Sequence, residues 1–304
     1  MEVASGERPA LVPVQGIPLI RYFAENWPLV EDFQARPDDV VICTYPKSGT
    51  TWLSEMLDMI YQDCDAQRCQ RAPLHLRVPF LEFAVPDAPT GLETLSQAPP
   101  PRLIKTHLPV ELLPSSFWRQ GCKVLYVSRD PRDVAVSYYH FYRMAPVHPH
   151  PGPWPHFLEE FLDGKVSYGS WFTHVKGWWA KAATHPVLCL RYEDMKEAPS
   201  QQLNRVLTFL GRTLPPGGAT AILAATSFTT MKANPKVNYT ALPRTVMDHA
   251  VSPFLRKGEV GDWMNLFTVA QAEAFDARYQ ELMAGVEGPP IHPSPTPGAD
   301  PVSH

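Results

Sequence analysis

The run Asp39-Val-Val-Ile-Cys-Thr-Tyr-Pro-Lys-Ser-Gly-Thr-Thr-Trp-Leu-Ser-Glu-Met-Leu-Asp58 leaves the chain little choice of fold. Val40, Val41 and Ile42 are apolar and β-branched with no polar alternation, the pattern of a strand buried on both faces. Pro46 to Gly49 break that strand, and Thr50 or Thr51 stands ready to cap a helix. Trp52, Met56 and Ile60, with Leu53 and Leu57 beside them, then repeat at helical spacing. A strand, a tight loop and a helix in this order aim free backbone N–H groups and a positive dipole end at an anion. Lys47 and the hydroxyls of Ser48, Thr50 and Thr51 add donors suited to phosphate oxygens. The loop is not the common G-x-x-x-x-G-K-[ST] word, because Lys47 precedes Gly49 and no earlier glycine follows the strand. Taken alone it is as readily an ordinary βα turn with a solvated lysine.

Further along, strands and helices alternate. Arg102 to His107 reads as a short strand ending at a turn. Cys122 to Ser128 is a buried strand running into Arg129-Asp-Pro-Arg-Asp133 and a helix through Phe141, with Pro131 in the first turn, where proline is tolerated. Phe157 to Phe161 starts another helix, and Trp171, Val175, Trp178 and Trp179 share a helical face suited to a core. Pro186 to Tyr192 is a third such strand, followed by an amphipathic helix from Ser200 to Leu210, and Ala270 to Met283 forms a terminal helix. Residues 1–20 read as a surface strand or arm, and the prolines between Ala72 and Pro101 predict loop. The fold class is α/β: one domain over residues 1–287 with a central parallel sheet flanked by helices, then a Pro-rich disordered tail at 288–304. Ligands of such a sheet bind at the carboxyl ends of its strands.

Net charge narrows the partners. At −4 over 304 residues the chain lacks the basic surface of a general nucleic-acid binder, although a local basic pocket is allowed. No cationic segment followed by an apolar one opens the sequence, and no run is long enough to cross a bilayer. The five cysteines are odd in number and lack paired metal spacing, so a reducing compartment, the cytoplasm, is expected. His148-Pro-His150 has neither carboxylate nor thiolate company and reads as a solvated loop rather than a metal site. No metal is expected.

A doubly phosphorylated nucleotide needs cations at two separate places, and the chain supplies a second set. Arg129 lies just past a strand end, with Ser137 about two helical turns on. Arg256 and Lys257 precede Gly258, whose backbone is free to approach a phosphate. In order the sequence carries Tyr45-Pro-Lys-Ser-Gly-Thr-Thr-Trp52, Lys105-Thr-His107, Arg129 with Ser137-Tyr-Tyr-His-Phe141, Tyr192-Glu-Asp194, and Arg256-Lys-Gly258 before Gly261-Asp-Trp263. Over residues 10–285 or so this resembles a family 1 cytosolic sulfotransferase of the phenol (aryl) type. These enzymes, which serve xenobiotic and hormone metabolism, take their sulfuryl group from 3′-phosphoadenosine-5′-phosphosulfate (PAPS).

The resemblance implies roles residue by residue. Lys47, Ser48, Gly49, Thr50 and Thr51 would hold the 5′-phosphosulfate, and Trp52 and Phe228 would sandwich the adenine. Arg129, Ser137, Arg256, Lys257 and Gly258 would hold the 3′-phosphate, with Tyr192, Thr226, Ser227, Met231, Phe254 and Leu255 around the adenosine. His107 would be the general base, while Lys47, Lys105 and Ser137 would assist at the transferring group. A phenol with pKa near 10 needs such a base at neutral pH, and an imidazole of pKa near 6.5 can serve. Phe23, Phe80, Phe83, Thr106, Phe141, Ala145, Tyr239 and Val246 would join Lys105 and His107 around a small phenolic acceptor.

Departures from the family pattern carry their own expectations. Ala145 stands where catecholamine-preferring relatives place an acid, which favours an uncharged phenol. Val246 replaces an aromatic, which widens the pocket and leaves phenolic steroids open as acceptors; the sequence does not choose among these, simple phenols, thyroid hormone and catechols. Asp130 adds a negative charge near the 3′-phosphate site and predicts weaker cofactor binding. The family's dimer word K-x-x-x-T-V-x-x-x-E is kept at Thr268, Val269 and Glu273, but Met264 replaces the lysine, so a homodimer stays open. Two other classes are alternatives: a kinase-like phosphotransferase, which would need a P-loop and magnesium, and a nucleotide-binding module without turnover, which would not need Lys47, Lys105 and His107.

Overall fold

The computed structural model describes residues 8–86 and 88–286, and the tail expected at 288–304 lies outside them. The arm expected at the start is a hairpin. Its strands, β1 (Val12–Val14) and β2 (Ile17–Leu19), pair antiparallel across Gln15 and Gly16. Among the described residues the central sheet has four strands: β3 (Val40–Thr44), β4 (Leu103–Thr106), β5 (Lys123–Ser128) and β6 (Val187–Arg191). They lie in the order β4–β3–β5–β6, and every pair is parallel.

The absence of polar alternation in these strands reflects helices on both faces. Val41 and Cys43 of β3, with Val124 and Tyr126 of β5, pack into a layer containing Phe161, Trp171, Val175, Trp178 and Phe275. Val40 and Ile42, with Leu125 and Val127, face the opposite layer, which holds Leu53, Met56, Leu57, Leu203 and Val206. Side chains alternate with period two along a strand, so odd and even positions feed different cores. Helical spacing is a good guide to the second layer: helices run over Thr50–Tyr61 and Pro199–Leu210. Val269–Met283 is the last helix among the described residues and starts at a capping box of Thr268 and Gln271.

Two expectations need correcting. Neither Thr50 nor Thr51 caps the first long helix; Gly49 does, at φ 106°, and no side chain caps it. The Thr50 hydroxyl is already engaged, 2.6 Å from the Thr44 hydroxyl at the end of β3. The region Ala72–Pro101 is not plain loop either, since it holds helices at Leu74–Arg77 and Gly91–Gln97. Pro73 sits at the cap of the first and Thr90 and Glu93 form a capping box on the second, so the prolines bracket helices rather than interrupt them.

Leu74–Arg77 is tied to the helix beyond the anion loop. Arg77 Nη2 donates to Glu55 Oε2 at 2.7 Å and its Nη1 to Asp58, while Arg71 reaches the same aspartate. Glu55, Asp58 and Arg77 are buried but mutually paired, the condition under which buried charges are tolerated, and Arg71 adds to them from the surface.

Candidate active site

Every strand of the sheet ends beside one cavity of about 510 Å³. β3 leads to Pro46 and Lys47, β4 to His107, β5 to Arg129 and β6 to Tyr192, and all of these line it. This is the carboxyl-end placement expected of an open parallel sheet.

At one end the cavity is built for an anion. Lys47 has φ 69°, and its Nζ lies 3.9 Å from the centroid of Phe254 and 4.5 Å from that of Phe141. Burial, reinforced by Arg129 and Arg256, lowers its pKa to about 7. Arg129 lies over the Tyr192 ring at 4.3 Å. Its Nη1 donates to the Lys47 carbonyl at 3.2 Å and its Nη2 to the Glu259 carbonyl at 2.7 Å, so it joins the first loop to the basic turn. Arg256 and Lys257 both bind Asp262. Burial alone would raise that carboxyl, but hydrogen bonds from Lys257 and Arg256 outweigh it and hold the pKa at about 2.

Ser48 Oγ, Trp52 Nε1, Arg129 Nε and Arg256 Nε are buried at this end without a protein partner. Buried donors are rarely left unpaired, so a cluster of them fits a ligand rich in acceptors. Backbone is exposed to it too. A Cβ on Gly49 would lie 2.9 Å from the Tyr192 ring, and one on Gly258 would lie 2.2 Å from the Phe228 ring. The donor set therefore fits a phosphorylated nucleotide.

At the other end stands His107. Its Nδ1 lies 2.8 Å from the Thr44 carbonyl oxygen. A carbonyl can only accept, so Nδ1 carries the proton and Nε2 keeps the lone pair. The backbone N–H of His107 donates to Glu82 Oε1 and the Thr106 hydroxyl to Glu82 Oε2, each at 2.8 Å. Behind them His174 Nε2 donates to the His107 carbonyl at 3.1 Å, and the Tyr126 hydroxyl lies 2.9 Å from His174 Nδ1. Phe80 and Tyr168 meet the imidazole edge-on at 5.0 and 5.4 Å. Burial, aided by the charge of Lys105, lowers the His107 pKa to about 3 against the pull of the Thr44 carbonyl, and the ring is neutral at physiological pH. Lys105 Nζ donates to the Tyr239 hydroxyl at 2.7 Å. Such a site presents a fixed proton acceptor between cations, a layout for moving a negatively charged group onto a hydroxyl.

A family model for the sulfotransferase domain matches residues 37–287. The chain belongs to the sulfotransferase family, and within it to family 1. It is 58% identical to mouse "Sulfotransferase 1A1" over 280 residues, covering 92% of this chain and 96% of the mouse protein. Dog "Sulfotransferase 1A1" is 57% identical over 284 residues, covering 93% and 96%. The crystal structure of mouse sulfotransferase SULT7A1 complexed with PAP has TM-score 0.74 and 34% identity over 91% of this chain and 95% of that one. A retinol dehydratase structure at 24% identity and TM-score 0.81 shares the fold.

In this sulfotransferase all the predicted site residues line the cavity except Ser48, Thr106 and Ala145. Ser48 is fully buried within the loop. Thr106 spends its hydroxyl on Glu82 and on the Leu108 N–H, which makes it a support for the strand end. Ala145 follows the Pro131–Met144 helix as its C-cap, is completely buried and is not among the residues that line the cavity. Asp130 is likewise not a free charge. It caps that helix through the Arg132 N–H and is bound by Arg132 Nη2 at 2.7 Å, which neutralises it.

Sequence reasoning missed Glu82, His148 and Tyr168. The expected solvated loop at His148-Pro-His150 is half wrong: His150 is exposed, but His148 is 2% exposed and lines the cavity. Among the described residues no group of three or more His, Cys, Asp or Glu could hold a metal ion. No helix there is long and apolar enough to cross a membrane.

The buried histidines set an acid limit on stability. His107 and His148 have pKa values of about 3, and His75, His140 and His174 of about 4, chiefly through burial. Unfolded they would titrate near 6.5. Their stabilisation is therefore complete above about pH 6.5 and is lost as pH falls toward 4 and 3. Glu82, which burial raises to about 7, opposes them, since its contribution is present below its unfolded value and fades toward 7. Glu55, Asp133 and Glu193, also raised by burial, act with Glu82. The histidines prevail in the window from 6.5 to 5, so Tm at pH 5 should be about 5–10 °C below its value at pH 7. A Tm that holds or rises over this range contradicts the assignment.

Proposed function

We propose that this sulfotransferase moves a sulfuryl group from PAPS to the hydroxyl of a small, uncharged phenol, with His107 as general base. The observation that carries the reading is the 2.8 Å contact of His107 Nδ1 with the Thr44 carbonyl oxygen. The ring proton is thereby assigned to Nδ1, which leaves Nε2 as the proton acceptor in the same cavity as the anion cradle.

When bound, PAPS supplies an activated sulfuryl group and a bisphosphate leaving group. Arg129, Arg256 and Trp52 would pair their unsatisfied donors with it, and Gly49 and Gly258 would let backbone N–H groups approach. Thr50 and Thr51, in the first turn of their helix, add its positive dipole end. Trp52 and Phe228 provide flat faces for the base. His107 takes the phenolic proton as the hydroxyl attacks. Lys105, and Lys47 once a bound anion restores its charge, favour the negative charge that develops between donor and acceptor, and Tyr239 holds Lys105 in place. Neighbouring anion charge also offsets the Lys105 and Lys47 charges that add to the burial depressing His107, which strengthens it as a base when it is needed. Phe23, Phe80, Phe83, Phe141 and Val246 give the acceptor an apolar seat.

Labelled PAPS and a nitrophenol, with and without chelator, test the reading. Transfer that ignores the chelator is expected. Transfer lost with chelator would overturn the metal-free scheme, and binding without transfer would favour a nucleotide-binding module. The nucleotide end has its own test in Gly258→Ala. The new Cβ forces Phe228 to move, so affinity for adenosine 3′,5′-bisphosphate should fall by about tenfold, the equivalent of 1.4 kcal/mol, in calorimetric titration. Unchanged affinity would remove Gly258 and Phe228 from the cradle. Operation in the cytoplasm suits the five unpaired cysteines. Exposed Met264 and Val269 offer an apolar contact for a homodimer, for which sedimentation is the check.

A further inference from the structure

His148 is almost fully buried, yet its Nδ1 has no partner. The ring is held by Tyr142 at 4.3 Å, Phe141 at 5.3 Å and Tyr138 at 5.9 Å, and it forms part of the cavity wall. Burial, then the charges of Arg8 and Lys47, keep the imidazole neutral, and His107 is close enough to add to the effect. A neutral imidazole offers one donor and one acceptor. Left unpaired inside an aromatic wall it is a cost to the fold, so a ligand that pairs with it gains.

The surroundings fix the character of that ligand. Of the acids lining the cavity, Glu259 belongs to the basic turn and Asp262 is occupied by Arg256 and Lys257. No carboxylate among the described lining residues stands beside His148, and the nearby cations oppose an ammonium group. A neutral hydroxyl, which both donates and accepts, matches the imidazole.

We propose that His148 is a specificity-determining residue that hydrogen-bonds a second, neutral hydroxyl on the acceptor, making dihydric phenols better substrates than monohydric ones of the same size. This rests on the transferase reading above. The test compares a naphthol with a panel of dihydroxynaphthalenes, using the wild-type chain, His148→Phe and His148→Asn. At least one dihydroxy isomer should exceed the naphthol in kcat/KM with the wild-type chain. In His148→Phe that isomer should lose about tenfold, mainly in KM, while the naphthol changes by less than about twofold. His148→Asn, which keeps a donor and an acceptor, should restore part of the preference. Should the phenylalanine variant not fold, His148→Leu makes the same comparison. Equal losses on both acceptors would mean that His148 only packs, and an unchanged preference would mean that it does not read the hydroxyl; either overturns the proposal. If the wild-type chain sulfates neither acceptor, it is the transferase reading that fails.

Discussion

His107→Ala should stop sulfuryl transfer while adenosine 3′,5′-bisphosphate still binds. A positioned general base contributes about 10²–10⁴-fold, so kcat should fall by about three orders of magnitude. The substitution removes the ring that bonds the Thr44 carbonyl, but the backbone N–H at 107 keeps its bond to Glu82, so the end of β4 should hold its place. Single-turnover transfer to a nitrophenol, measured beside calorimetric nucleotide binding, separates the two effects. Normal turnover would show that another group takes the proton.

The second large effect belongs to Lys47. Lys47→Met keeps an unbranched stem between Phe141 and Phe254 and removes only the charge. Among the described residues Lys47 makes no ion pair, so the fold should tolerate the change. Removing one preorganised electrostatic contact of this kind costs about 10²–10³ in kcat. Because the ammonium also lies at the nucleotide end, KM for PAPS should rise as well. A variant with wild-type kcat and a raised KM would make Lys47 a binding group alone.

The anion loop is legible because it is local: a buried strand, a proline–glycine break and a helical period sit within twenty residues. The parallel sheet can be read from three more apolar runs separated by helical spacing. Lys105 and His107 take their meaning from their place in the family word, not from any pattern of their own. What escapes the sequence is decided by distant neighbours. His148 looks polar and loop-like beside two prolines, and nothing nearby reveals that Tyr138 and Tyr142 close over it. Glu82 is hidden among Phe80, Leu81 and Phe83, and its job appears only when β4 delivers Thr106 and His107 to it. Asp130 reads as a stray negative charge until Arg132 is found to hold it. The cap at Gly49 is easily misjudged because the Thr50 hydroxyl is drawn to Thr44.

All four parallel strands deliver a side chain to the same cavity, so no single supersecondary unit owns the chemistry. A fragment ending before Val187 would retain Lys47 and His107 but lose Tyr192 and the basic turn, and with them one of the two grips on a bisphosphate. During refolding, catalytic competence should return only once β6 and the basic turn have joined the rest of the site. Turnover in this protein is therefore a reporter of complete assembly, more demanding than any spectroscopic measure of helix or sheet.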